Sequence, residues 1–262
     1  ILSSGLKNSQ ENWSENAGII LGSSIGGIET INHSYKQVFE EGHNRLHPLT
    51  IPKIMNNSAT SLISIEYGIQ GPSFTVSSAC SSANHAMGLA YEAVKSRKSN
   101  IMITGGSESF LSFGGIKPWE SLRVLSQNKC RPFSKGRDGL VHGEGAGIFV
   151  FESLDSAKKR KADVIAEVIG FSMSSDASDL IKPNNIGPEK ALRGVLKDGM
   201  INETDVSYIN AHGTGTILND KMESKAIKKV FGPYSKSLKV SSTKAMHGHL
   251  IGATAAIELF AC

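Results

Sequence analysis

The chain has 262 residues, 39% of them hydrophobic and 20% charged, and a formal net charge of +4 at pH 7. That length can bury a sizeable core in one large domain or two small ones, and so mild a charge gives no ground for a nucleic-acid partner. No apolar run approaches the roughly 18 residues of a membrane span. Cys80, Cys130 and Cys262 form neither a CxxC pair nor a disulfide framework, which points to a reducing, cytoplasmic setting.

Ala17–Leu21 is a short apolar run that ends in Gly22-Ser-Ser-Ile-Gly26-Gly27, a strand entering a glycine-rich turn. The turn lacks the GxGxxG spacing of a dinucleotide site. A helix is predicted over 28–41, a polar loop from His43 to Pro52, and a second helix over Ile54–Tyr67 with Gly68 as its C-cap. Phe74, Thr75 and Val76 read as the end of a buried strand. Small residues follow, and then apolar residues recur at Ala83, Ala86, Met87, Ala90 and Val94, a helical period. Cys80 therefore falls on a tight strand-to-helix turn. Two readings stay open there: an inert buried thiol, or a nucleophile whose thiolate the helix N-terminus favours. His85, on the same helix, reads as structural.

Asn100–Thr104 is the next strand, and Ser109–Gly139 is irregular enough to suggest a functional loop. Gly143-Glu-Gly-Ala-Gly147 precedes the strand Ile148–Glu152, the wrong order for a phosphate-cradling loop. Lys158-Lys-Arg-Lys161 reads as a solvated helix end. Val164–Phe171 is predicted as a strand, and Pro188 as the opening of a helix that runs to Met200. The strand Val206–Asn210 ends in Ala211-His-Gly-Thr-Gly-Thr216. Met222, Ala226, Ile227 and Val230 mark a helix, Leu238–Val240 a strand, and Leu250 onward an apolar, buried helix.

Strands alternating with helices imply an α/β fold with a largely parallel sheet. Val76-Ser-Ser-Ala-Cys80 is echoed by Val240-Ser-Ser-Thr-Lys244, each closing a strand and opening a helix. That suggests a duplication into two related halves, 1–162 and 163–262. Cys80, His212, Lys244 and His249 all fall just past strand ends, where ligand sites of parallel sheets collect. One Cys, two or three His and a Lys suit acyl transfer through a thioester. A metal-dependent hydrolase built on His212, His247 and His249 is the competing reading, although no Cys or acidic partner lies at short ligand spacing.

Five segments occur in a telling order: Ala79-Cys-Ser-Ser82, Arg137-Asp-Gly139, Gly143-Glu-Gly-Ala-Gly147, Asn210-Ala-His-Gly-Thr-Gly-Thr216, and Ser242-Thr-Lys-Ala-Met-His-Gly-His-Leu-Ile-Gly252. On them the chain resembles the β-ketoacyl-acyl-carrier-protein synthases, the elongating condensing enzymes of fatty-acid and polyketide synthesis. The resemblance implies an α/β thiolase-like fold, two related halves in an αβαβα layered sandwich. It implies decarboxylative Claisen condensation of an acyl group on Cys80 with a malonyl-acyl-carrier protein. His212 and His249 would act on the malonyl unit, with Lys244 beside them and Glu258 paired to that lysine. Thr214 and Thr216 would hold the phosphopantetheine arm of the acyl-carrier protein, and Ile31 would shape the acyl pocket. No metal or organic cofactor is implied. The expected partners are acyl-carrier protein and a second synthase subunit, as a homodimer or a heterodimer. Ala245, His247 and Thr254-Ala-Ala256 depart from the common pattern and suggest a specialised synthase of the nodulation-factor or polyketide kind. A chain that starts at Ile1 and stops inside an apolar helix is expected to be incomplete at both ends. The rival from another class is a non-catalytic, chain-length-factor-like partner of an active synthase. Such partners commonly lack the nucleophile, so Cys80 counts against it.

Overall fold

The computed structural model describes residues 3–6 and 12–262. Up to Lys159 the described elements are α1 (Trp13–Asn16), β1 (Gly18–Gly22), α2 (Ile28–Phe39), α3 (Thr50–Ile54), α4 (Ser58–Tyr67), β2 (Ser73–Val76), α5 (Ser82–Lys95), β3 (Ile101–Glu108), α6 (Phe113–Ser121), β4 (Gly145–Glu152) and α7 (Leu154–Lys159). Then come α8 (Ile186–Asp198), β5 (Tyr208–Asn210), α9 (Ile217–Phe231), β6 (Lys239–Ser241), α10 (Lys244–His247) and α11 (Thr254–Ala261). The chain divides into two compact units. The first gathers the residues up to Ser121 with Gly143–Glu167 and Leu250–Ala261; the second holds Leu122–His142 and Val168–His249.

The first unit is built on a four-stranded sheet of order β2-β1-β3-β4. β1 runs parallel to both β2 and β3, and β4 closes the sheet antiparallel to β3. All five residues of β1 are buried, as befits a central strand covered on both faces. The pleat sends Ile19, Leu21, Ile101 and Ile103 to one face, where Ala59, Ile63 and Tyr67 of α4 meet them. Ile20 and Met102 go to the other face, against Ala86 and Ala90 of α5. α11 lies beside α5, with Ala255 and Ala256 packed on Ala83 and Met87. Gly22 makes the close approach of α5 possible. A Cβ there would stand 2.3 Å from the Ala83 nitrogen, so only glycine lets the first turn of α5 press on the strand end.

The second unit has a two-stranded parallel sheet, β5 beside β6. Leu196 of α8 joins Ile227, Val230 and Phe231 of α9 and Leu238 in its core. Among the described residues no helix is long and apolar enough to cross a membrane.

The expected α4, with its left-handed Gly68 cap at φ +63°, forms as predicted apart from its first residues. Met55 takes an extended backbone (ψ 139°) and separates it from the short α3. Three expectations are corrected. The strand at Phe74–Val76 forms as β2 but is not buried, because it lies at the edge of the sheet, with Ser73 and Phe74 exposed and Thr75 and Val76 half-buried. The stretch 109–139 is not wholly irregular, since α6 forms there with Pro118 inside it. Residues 164–171 form no strand, and Ile165 is 97% exposed. β-branched residues favour an extended backbone, but a strand also needs a neighbouring strand to take its N–H and C=O groups.

Candidate active site

Each unit carries part of the predicted set. In the first unit, Cys80 is half-buried on the connection between β2 and α5, two residues before the helix begins. Ala79 before it adopts φ +51°, which a Cβ disfavours. Ser78 and Cys80 form an isolated bridge, and the Ser81 N–H donates to the Ser78 carbonyl at 3.1 Å. Ile31 is half-buried in the first turn of α2, and Glu258 half-buried on α11.

Sequence reasoning missed the carboxylate that ties the loops of this unit together. Glu108, at the end of β3, is buried. Its carboxylate accepts the Ser24 N–H at 2.8 Å, the Ile25 N–H at 3.1 Å and the Gly252 N–H at 2.9 Å. The hydroxyls of Ser23 and Ser24 donate to it as well, at 3.3 and 2.5 Å. A buried carboxylate with that many donors fixes every segment that supplies one. The signal in sequence was an acid closing a strand that opens with the apolar run Ile101-Met-Ile103.

In the second unit, His212, Thr214, Thr216, Lys244 and His249 converge. β5 runs into the loop 211–216, whose Gly213 and Gly215 have φ +37° and +79°. Two acids of α9 hold this loop by its backbone. Glu223 accepts the N–H groups of His212 (2.6 Å) and Gly213 (2.7 Å). Asp220 accepts the Gly215 N–H at 3.2 Å and the Phe133 N–H at 2.7 Å, and pairs with Arg137 at 3.4 Å. The Thr214 and Thr216 hydroxyls lie 2.8 Å apart. Glu223 was also missed. An acid one to two turns into a helix that follows a glycine-rich loop is the pattern that signals it.

Lys244 opens α10 and is 0% exposed. Its ammonium donates to the His212 carbonyl at 2.5 Å, so the buried charge is hydrogen-bonded. His249 is 1% exposed. Its N–H donates to the Val141 carbonyl at 2.7 Å, and its own carbonyl accepts from His142 Nδ1 at 3.4 Å. The His212 and His249 rings meet edge to face, centroids 5.4 Å apart at 82°. His247 turns its two ring nitrogens to the Gly248 carbonyl (2.7 Å) and the Thr243 hydroxyl (2.9 Å).

The electrostatics of this cluster have one direction. Burial, then repulsion from Lys244, lowers His212 to about 3. Solvent still reaches His212 as a residue, but protein crowds its ring and the imidazole is uncharged at neutral pH. Burial also puts His249 well below the usual histidine range, with repulsion from His212, Lys244, His142 and His247 adding to it. Burial lowers His142 too. Burial raises Glu223 despite its two backbone donors. The result is a pair of neutral imidazoles, each with an N–H to donate, beside a fixed ammonium.

A family profile described as "Beta-ketoacyl synthase, N-terminal domain" matches residues 1–157, and one described as "Beta-ketoacyl synthase, C-terminal domain" matches residues 165–262. The chain is 45% identical over 245 residues to Nodulation protein E of Rhizobium sp. (strain N33), covering 94% of this chain and 61% of that protein. It is 42% identical over 255 residues to 3-oxoacyl-[acyl-carrier-protein] synthase 2 of Staphylococcus aureus, covering 95% and 63%. Among solved structures, a type II PKS acyl-carrier protein in complex with its ketosynthase bound to the hexaketide matches with TM-score 0.92 at 29% identity. That match covers 99% of this chain and 67% of that chain. The chain spans about three fifths of the length of the curated relatives it matches.

Proposed function

The chain belongs to the β-ketoacyl synthase family, and from that premise we propose that it carries the machinery of a condensing acyltransferase. Cys80 takes an acyl group as a thioester, and His212 and His249 act on a malonyl-acyl-carrier protein. The observation that carries this reading is the neutral, edge-to-face pair of His212 and His249 beside the buried Lys244.

The chemistry follows from the protonation states. When the malonyl carboxylate leaves as CO2, the electrons of the breaking C–C bond move toward the thioester oxygen. Neutral imidazole N–H groups stabilise that oxygen without handing a proton to the carbanion. The carbanion forms a C–C bond to the acyl carbon on Cys80. The C–S bond then breaks and returns the sulfur as a thiolate. Lys244 holds the His212 carbonyl, and its charge adds to burial, the larger cause, in keeping both rings uncharged. Thr214 and Thr216 are assigned to the phosphopantetheine arm, Ile31 to the acyl pocket, and Glu258 to a supporting role. The reaction needs no metal or organic cofactor of the chain's own. We assign the acyl product to fatty-acid, nodulation-factor or polyketide synthesis, with acyl-carrier protein as partner and a second synthase subunit as companion; the names of the relatives support the reading.

Given acyl- and malonyl-acyl-carrier proteins, Cys80→Ala is expected to hold no acyl group and to form no condensed product. His212→Ala and His249→Ala are expected to keep the acyl group on Cys80 and lose decarboxylation. Intact-mass detection of the adduct and release of labelled CO2 read the two steps separately. Full condensation by Cys80→Ala sinks the proposal.

A further inference from the structure

The connection that carries Cys80 is held by side chains that the chemistry above does not use. Ser82, the first residue of α5, is 0% exposed. Its hydroxyl donates to the Ala79 carbonyl at 2.7 Å and accepts the Ser78 N–H at 2.9 Å. The Ser82 N–H reaches the same Ala79 carbonyl at 3.1 Å. The Ser78 hydroxyl meets His85 Nδ1 at 2.7 Å, from the first turn of α5. These contacts bracket Cys80 on both sides and hold Ala79 at φ +51°, where the backbone does not stay without surrounding support. A buried serine that joins the carbonyl of one turn residue to the N–H of another replaces the pairing a regular strand or helix would give them. The His85 contact ties that turn to the body of α5.

We propose that Ser78, Ser82 and His85 are positioning residues that clamp the Cys80 turn in its left-handed form, so that the thiol is presented in one orientation for acylation. The inference rests on Cys80 being the acyl acceptor, so its test reads Cys80 directly and not through condensation.

Alkylation of the full chain with iodoacetamide, followed peptide by peptide in a mass spectrometer, gives separate rates for Cys80, Cys130 and Cys262. Ser82→Ala and His85→Ala are expected to slow Cys80 alkylation about five-fold or more, as the turn leaves its disfavoured conformation, with the other two cysteines unchanged. His85→Asn, whose amide reaches the Nδ1 position, is expected to restore most of the rate. Ser78→Ala combined with His85→Ala is expected to be no slower than either alone, because both remove one hydrogen bond. Thermal unfolding is followed in parallel; if Ser82→Ala or His85→Ala does not fold, Ser78→Ala and His85→Asn carry the comparison. Unchanged or faster Cys80 alkylation in folded variants overturns the clamp, and so does failure of His85→Asn to restore it. A general loss of stability lowers the unfolding midpoint but produces neither the Cys80-specific change nor the rescue. If the clamp variants behave as expected and the unaltered chain still takes no acyl group from an acyl-carrier protein, the clamp stands and the acceptor reading fails.

Discussion

Lys244 shows how one residue sets the state of its neighbours. Its ammonium is buried and spent on the His212 carbonyl, so its positive charge is felt by His212 and His249. Lys244→Met removes that repulsion, and both histidines are expected to titrate at higher pH. Burial, the larger cause, keeps them below 6.5, and NMR titration of the ring carbons reads the change. The same residues link stability to pH. Between 6.5 and about 3 the unfolded chain protonates His212 while the folded chain does not. The unfolded state then binds more protons, so stability is full above 6.5 and falls as pH drops below it. Urea midpoints measured from pH 7.5 to pH 5 are expected to decline, and His249→Gln is expected to flatten the decline. An unchanged midpoint across that range contradicts the neutral state of the pair. The residue types Cys80, His212, Lys244 and His249 were legible because motif and order named them. Glu223, Glu108 and Ser82 were not, because their work is to accept or bridge backbone groups, and backbone direction is not written in residue type.

At the level of elements, the sheet is organised by how closely its partners can approach. Gly22 lies 2.3 Å from the Ala83 nitrogen and 2.4 Å from the Ser82 carbon, measured from the Cβ it lacks. Gly22→Ala therefore pushes the first turn of α5 off β1, and overpacking of this kind costs about 1–3 kcal/mol. Its urea midpoint is expected to fall accordingly. Glu108→Gln keeps the shape but turns an amide NH2 toward groups that are themselves donors. Leaving buried donors unmet costs about 1–3 kcal/mol, which calorimetry is expected to show as a lower midpoint. β1, β2, α4, α5 and α9 were legible from periodicity and caps. Residues 164–171 were not, since their apolar pattern says what they could bury and not whether a strand lies alongside.

Across the whole chain, the exposed apolar residues set the behaviour in solution. Ile165, Leu180, Met200 and Met246 are 97%, 99%, 91% and 89% exposed, and β2 is one of the two edge strands of its sheet, with Phe74 also exposed. Exposed apolar surface and open strand edges both drive association. Sedimentation velocity is expected to show self-association in the micromolar range, and a strictly monomeric chain at those concentrations removes the homodimer and leaves only a heterodimer with a related synthase. By itself the sequence determined the α/β class, the family and the identities of the candidate catalytic residues. Those follow from side-chain chemistry at fixed spacings, which is local. Only the tertiary structure decided that His212 and His249 are neutral, that Glu108 and Glu223 hold loops by their backbone, and that the Cys80 turn is clamped. Each of these depends on burial or on hydrogen bonds whose geometry the folded backbone sets and residue type does not.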